Sequence, residues 1–233
     1  KMEGISNILT GGNDTVAIRM PDNEIALGLI KRSETPIAAP SANISGKPSS
    51  TDHSHVKDYF GDKVYVIEGG RTEIGLESTV IDMSTDTPKI LRLGALDREV
   101  IEEEIGKVEG FGKLKDIAVL KSPGMAYKHY SPEAKLIIVP KTNDMLDKIL
   151  IVAHEYKAEG KKVGILVLKD DQKFFDKDFI TINLGSTLTD VAKNIYSALL
   201  EADKLGLDLI VSPSFEKKGI GEVIMERLER ASN

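Results

Sequence analysis

Residues 134–233 alternate short apolar runs with longer amphipathic stretches, and that alternation restricts the fold more than any other feature of the chain. Lys135–Val139, Lys161–Leu168, Phe179–Asn183 and Leu207–Val211 read as strands. Asp144–Lys157, Leu188–Leu205 and Gly221–Arg230 read as helices, with Gly160 as a stop after the first. Strand, helix and strand in succession imply parallel pairing, because the crossover returns the chain to the same end of the sheet. Helices then cover both faces of the sheet. The expectation for 134–233 is a complete, small, Rossmann-like parallel α/β domain, doubly wound in style.

Ahead of it the pattern breaks. Residues 106–133 hold Gly106, Gly110, Gly112, Gly124, Pro123 and Pro132 with little periodicity, which marks residues 109–133 as a linker. Residues 1–108 carry five β-prone runs: Thr15–Arg19, Pro36–Pro40, Val64–Glu68, Ser78–Met83 and Lys89–Leu93. Three helices fall between and after them. One starts at an Asp22 cap and shows Ile25, Ala26, Leu29 and Ile30 on one face. The next starts at Thr51 and stops at Gly61, and the third starts at Asp97 with Glu102, Glu103 and Glu104 turned to solvent.

Composition removes several chemistries. None of the 233 residues is Cys, which excludes a disulfide scaffold, a thiol nucleophile, a zinc–thiolate site and an iron–sulfur cluster. A cysteine-free chain fits a reducing cytoplasm. No apolar run approaches the roughly 18 residues of a membrane span, and the chain does not open on a basic-then-apolar leader pattern. The net charge of −6 lies entirely in residues 1–108, where 12 Lys and Arg face 18 Asp and Glu; the remainder has 19 of each. A broad basic face for nucleic acid is therefore not expected.

What remains is a set of hydroxyls, small residues and arginines. TPIAAPSANISGKPS (35–49) runs from a strand into a loop of Ser41, Asn43, Ser45 and Ser49. Such a loop presents backbone N–H groups and hydroxyls at close range, which suits phosphate oxygens. Its plainer reading is a turn built of turn-forming residues. Gly46-Lys47 is not a P-loop, since Pro48 stands where Ser or Thr is required. GGRTEIGLESTVIDM (69–83) places Glu77, Ser78 and Thr79 at a strand mouth, where open α/β sheets take substrates. Arg19 and Arg92 end β-prone runs and offer a planar fork for carboxylate or phosphate. SPGMAYKHYSP (122–132) gathers Tyr127, Lys128, His129 and Tyr130 in the linker. His53 and His55, two apart in a helix, point away from each other and cannot share a metal. His154 reads as structural. No nucleophile–base pair or metal-binding motif stands out.

In order, TVAIRMP (15–21), PIAAPSANISGKPS (36–49), GLESTVID (75–82), ILRLGA (90–95) and SPGMAYKHYSP (122–132) resemble the YrdC-like threonylcarbamoyl-AMP synthases, in the long form that carries a C-terminal domain. The resemblance implies the fold class: the C-terminal half of a twisted open-sheet α/β catalytic domain at 1–108, a lid-like linker at 109–133, and the small Rossmann-like domain at 134–233. It implies the reaction as well. L-Threonine, bicarbonate and ATP would give L-threonylcarbamoyl-AMP and pyrophosphate, with Mg²⁺ helping the pyrophosphate leave. The product would feed threonylcarbamoylation of the adenosine beside the tRNA anticodon, together with other proteins of that modification. Chemistry of this kind asks for positioning and charge neutralisation.

Carried over by residue, the resemblance puts Arg19, the Ala39 backbone and Ser78 on L-threonine. It puts Thr15, Ser41, Asn43, Ser49, Arg92 and Tyr127 on ATP. Ala126 departs from the Lys or Arg common in the family, which removes one charge from the lid. A threonine-binding segment of the type PTETVYGL and a basic K-x-R segment do not occur, so the chain resembles the C-terminal two thirds of the enzyme. These 233 residues are accordingly not expected to make the intermediate unaided. Two other readings use the same residues: a non-catalytic RNA-binding or regulatory module, which the charge of −6 disfavours, and a related carbamoyl-transferring enzyme, which the appended α/β domain disfavours.

Overall fold

A computed structural model describes residues 4–110, 130–175 and 179–232. The C-terminal part follows the alternation closely. Strands β3 (Lys135–Val139), β4 (Val163–Val167), β5 (Ile180–Asn183) and β6 (Leu209–Pro213) form one sheet in the order β3-β6-β4-β5. Every pairing in it is parallel. Helix α5 (Met145–Ala158) links β3 to β4, α6 (Leu188–Lys204) links β5 to β6, and α7 (Ile220–Ala231) ends the fold. β4 and β5 are neighbours joined without a full helix; the described part of that connection holds only the 3₁₀ turn Gln172–Phe174.

The pleat explains why both faces are covered. Along β6, Leu209 and Val211 face α5, while Ile210 faces α6 and α7. The α5 face packs Val139, Ile149, Ala153, Ile165 and Val167. The opposite face packs Leu166, Ile182, Ile195, Leu199, Ile224 and Leu228. Each such side chain contributes about 1.5–3 kcal/mol when fully buried. Helix α6 is fixed at its start by a capping box, in which Thr187 accepts from the Asp190 amide and Asp190 accepts from the Thr187 amide.

The region before residue 110 is built differently. Its sheet is the antiparallel pair β1 (Val80–Asp82) and β2 (Lys89–Arg92), backed by α4 (Arg98–Ile105). Ile90, Ile101 and Val108 make a three-residue core between them. Three other predicted strands, at 15–19, 36–40 and 64–68, adopt no regular secondary structure and pair with no strand among the described residues. Their apolar side chains face outward: Ile18 is 89% exposed and Tyr65 fully so. β propensity describes the fit of a side chain to a pleated surface, and without a hydrogen-bonded neighbour it does not make a strand.

Element ends move by small amounts. Helix α2 (Glu24–Ser33) is capped by Asn23, not Asp22, with the Asn23 side chain accepting from the Ala26 amide at 2.9 Å. Helix α3 (His53–Phe60) is capped by Asp52, not Thr51, because Thr51 Oγ1 is turned to Ser197. Asp97 does precede α4 but makes no side-chain cap bond. The last strand starts at Leu209, two residues beyond the expected Leu207. A short helix, α1 (Asn7–Thr10), occupies the expected opening loop.

Candidate functional site

Strand β1 and the end of β2 bring the two best motifs side by side. Arg92 donates from Nε and Nη2 to the Ser78 carbonyl at 3.1 and 2.9 Å. Two of its five N–H donors are spent there. Burial pushes the Arg92 pKa down, and Arg227 and Arg19 lie near enough for their charges to add to that effect against the pull of Glu77 and Tyr130. Three arginines thus share one neighbourhood, a setting for an anionic group.

Close approach at this point needs glycine. A Cβ on Gly94 would lie 2.2 Å from the Thr79 nitrogen and 2.4 Å from the Glu77 carbonyl oxygen. A Cβ on Gly75 would lie 2.4 Å from the Lys193 carbonyl oxygen of α6. The GLESTV motif therefore seats its backbone against the C-terminal helix, and Leu76 follows it into the apolar cluster of α6 and α7.

Glu77 is the centre of the arrangement. Its carboxylate accepts from Ser49 Oγ at 3.1 Å, from Tyr196 Oη at 3.0 and 3.1 Å, and from Arg227 Nε at 2.9 Å. Burial would raise its pKa, but the charge and hydrogen bond of Arg227 outweigh burial and leave it below the ordinary 4.5. The same burial, reinforced by the Glu77 charge, raises Tyr196 well above the ordinary 10.0, so its hydroxyl stays a donor. Arg227 is lifted above its ordinary value: burial lowers it, and Tyr196 and Glu77 more than compensate. Arg227 Nη2 also donates to the Leu93 carbonyl at 3.0 Å. Tyr130 stacks on Tyr196 at 5.2 Å, and the Arg227 guanidinium lies 5.4 Å from the Tyr130 ring centre. These ring contacts hold Tyr130 at φ 66°, a conformation a non-glycine residue takes at a cost of about 1–2 kcal/mol.

Of the predicted site residues, Ser49, Ser78 and Arg92 meet directly through Glu77 and the Ser78 carbonyl, with Arg19 electrostatically close. Ser49 spends its one hydrogen on Glu77, which leaves its oxygen as an acceptor. Asn43 serves its own loop, donating to the Ile44 and Lys47 carbonyls, while its Oδ1 is buried and has no hydrogen-bond partner among the described residues. Thr15, Ala39 and Ser41 are exposed and are not drawn into the cluster. Tyr127 lies outside the described residues, as does Ala126. His55 accepts from the Thr51 amide at 3.2 Å, and burial lowers its pKa. His154 packs edge-on against Phe179, as a structural residue would. Glu102 is more than a solvated face, since it accepts from Arg98 and from the Val108 amide.

Sequence reasoning missed Arg227 and Tyr196. The signal was there: positions 220, 223, 224, 227, 228 and 231 recur at helical spacing, and Arg227 stands in the middle of that apolar face. A charge on a core face calls for a buried partner. Glu77, in the strand mouth, is that partner.

Comparison with known proteins agrees with this fold. Residues 96–233 match the family described as threonylcarbamoyl-AMP synthase, C-terminal domain, and residues 1–94 match the family described as telomere recombination. The chain is 45% identical to threonylcarbamoyl-AMP synthase of Pyrococcus abyssi, over all of its own length and 68% of that protein's. It is 38% identical to threonylcarbamoyl-AMP synthase of Bacillus subtilis, over all of its length and 67% of that protein's. A crystal structure of P. abyssi Sua5 complexed with L-threonine superposes with a TM-score of 0.88 at 45% identity, over 99% of this chain and 68% of that one. On these matches the chain belongs to the threonylcarbamoyl-AMP synthase family, with residues from both of its domains.

Proposed function

We propose that this chain works in the synthesis of L-threonylcarbamoyl-AMP, in which L-threonine, bicarbonate and ATP give the adenylate, pyrophosphate and water. The threonine nitrogen forms a C–N bond to the bicarbonate-derived carbon, with loss of water. A carbamate oxygen then forms a bond to the α-phosphorus of ATP, and the bond to pyrophosphate breaks. The observation that carries this reading is the meeting of Ser49, Ser78 and Arg92 around Glu77, in a chain 45% identical over its whole length to a threonylcarbamoyl-AMP synthase.

In this reading Arg92 meets the nucleotide phosphates with the donors it does not spend on Ser78. Arg19 pairs with the threonine carboxylate, and Ser78 with the Ala39 backbone orients the amino acid. Thr15, Ser41, Asn43 and Ser49 line the nucleotide, Ser49 as acceptor, and Tyr127 contacts it from the linker. The boundaries 1–108, 109–133 and 134–233 separate the site-bearing part, the linker and the α/β domain. The adenylate serves tRNA modification with partner proteins in the cytoplasm. Among the described residues no three His, Cys, Asp or Glu are grouped to hold a metal, and the Glu77 carboxylate is committed to Arg227 and Tyr196. In this reading Mg²⁺ would enter bound to the phosphates of ATP.

Calorimetric titration with ATP and with L-threonine tests the proposal. The expected result is saturable binding of both, with ATP affinity lost in Arg92→Ala. Binding of neither ligand contradicts it, and salt-dependent RNA affinity in their place would favour the regulatory module.

A further inference from the structure

Arg227 is the one charged side chain fully buried in the α/β domain's helix face, with 2% of its side chain exposed among the described residues. Its Nη1 pairs with Glu226 of the same helix, and its other donors reach outside the domain. Its Nε reaches Glu77 and its Nη2 reaches the Leu93 carbonyl, both in the front part of the chain. Glu77 is the neighbour of Ser78, and Leu93 is the neighbour of Arg92. One guanidinium fork therefore grips the chain on either side of the Ser78–Arg92 contact, and through Glu77 it also holds Ser49.

We propose that Arg227, from the last helix of the C-terminal domain, is a positioning residue that sets the spacing and orientation of Ser78, Arg92 and Ser49 for ligand. This rests on the functional reading above. Arg227 touches no ligand itself in this scheme. It acts through Glu77 and the Leu93 carbonyl, with Tyr196 Oη as the second donor that keeps the carboxylate in one rotamer. A planar fork can satisfy two acceptors on two segments at once, and a lysine ammonium holds them without a fixed angle. The C-terminal domain thereby takes part in the substrate face without contributing a residue to it.

The test compares the full chain with R227K and with the apolar pair E77L/R227M. Apolar replacement of a buried ion pair commonly restores stability, so the double variant separates packing from positioning. Thermal unfolding and titrations with ATP and L-threonine are measured on each. The expected result is an E77L/R227M transition close to the starting protein, with affinity for at least one ligand about tenfold weaker or worse in both R227K and E77L/R227M, a change of about 1.4 kcal/mol. Starting-protein affinity in R227K, or in E77L/R227M, overturns the proposal and leaves the functional reading intact. If the starting protein binds neither ligand, both fall.

Discussion

The two parts of this chain hold their shape by different physics. Residues 130–232 enclose a sheet with apolar side chains on both faces, and Ile165, Leu166 and Ile210 are fully buried. Residues 4–110 have a three-residue core of their own, and most of the exposed large apolar side chains lie there. The front part is kept in place by what it touches behind it. Gly75 and Leu76 seat on α6, Thr51 pairs with Ser197, Arg71 reaches Asn194 and Ser197, and Glu77 pairs with Arg227. Lys47 reaches Glu133 at 3.0 Å, and Lys204 pairs with Asp58 at 2.6 Å. A core held by apolar area tolerates changes of surface charge, whereas a docked region depends on geometry at a few polar contacts.

Losses of several kcal/mol are expected both in the sheet and at the docking contact. Ile165→Ala should cost about 2–5 kcal/mol, because the residue is fully buried and its site has little room to collapse. Urea unfolding followed by far-ultraviolet circular dichroism measures it. Arg227→Ala leaves the Glu77 carboxylate buried without its cation, a loss of about 3–5 kcal/mol. Here the prediction sharpens the contrast, since the loss should fall on the docking of residues 75–94 and leave the β3–β6 ladder protected in hydrogen exchange.

Gly75→Ala should have a smaller effect of about 1–3 kcal/mol, because the added methyl meets the Lys193 and Ala192 carbonyl oxygens at 2.4 and 2.6 Å. Limited proteolysis should then cut the front part faster, with α5–α7 resistant.

Acid acts on the same contact. Glu77 has a folded pKa below its ordinary 4.5, so its contribution is fully present above about pH 4.5 and is lost as pH falls through the folded value. Tyr fluorescence during acid titration should report release near Tyr196 and Tyr130 below that pH, and Glu77→Gln should remove this step. At the small end, Ile18→Ser should change stability by less than about 0.5 kcal/mol, since Ile18 is 89% exposed. A large loss at Ile18 would mean that the front part has a core beyond Ile90, Ile101 and Val108.

The same contrast decides what could be read before the structure. The α/β part was legible because its strands lie between helices with a clear 3.6-residue period, and local pattern and global fold agree there. TVAIR, PIAAP and VYVIE carry the same β-prone residues, yet they need neighbours that local sequence does not name. At the candidate site, Ser78 and Arg92 stand out in the sequence because they lie in motifs at strand ends. Arg227 and Tyr196 were missed because they sit 150 and 119 residues from Glu77, on helices that otherwise read as core. Long-range pairing of a buried charge is a tertiary fact, and only the misfit of Arg227 on an apolar helix face hinted at it.

Hydrogen exchange on the full chain, with and without Arg227→Lys, tests the central claim most directly. The account predicts strong protection of β3–β6 in both proteins, rapid exchange at 15–19 and 64–68 in both, and protection at 75–94 that falls selectively when Arg227 is replaced. Equal protection of 75–94 in the two proteins would contradict it, as would a loss spread evenly over the parallel sheet.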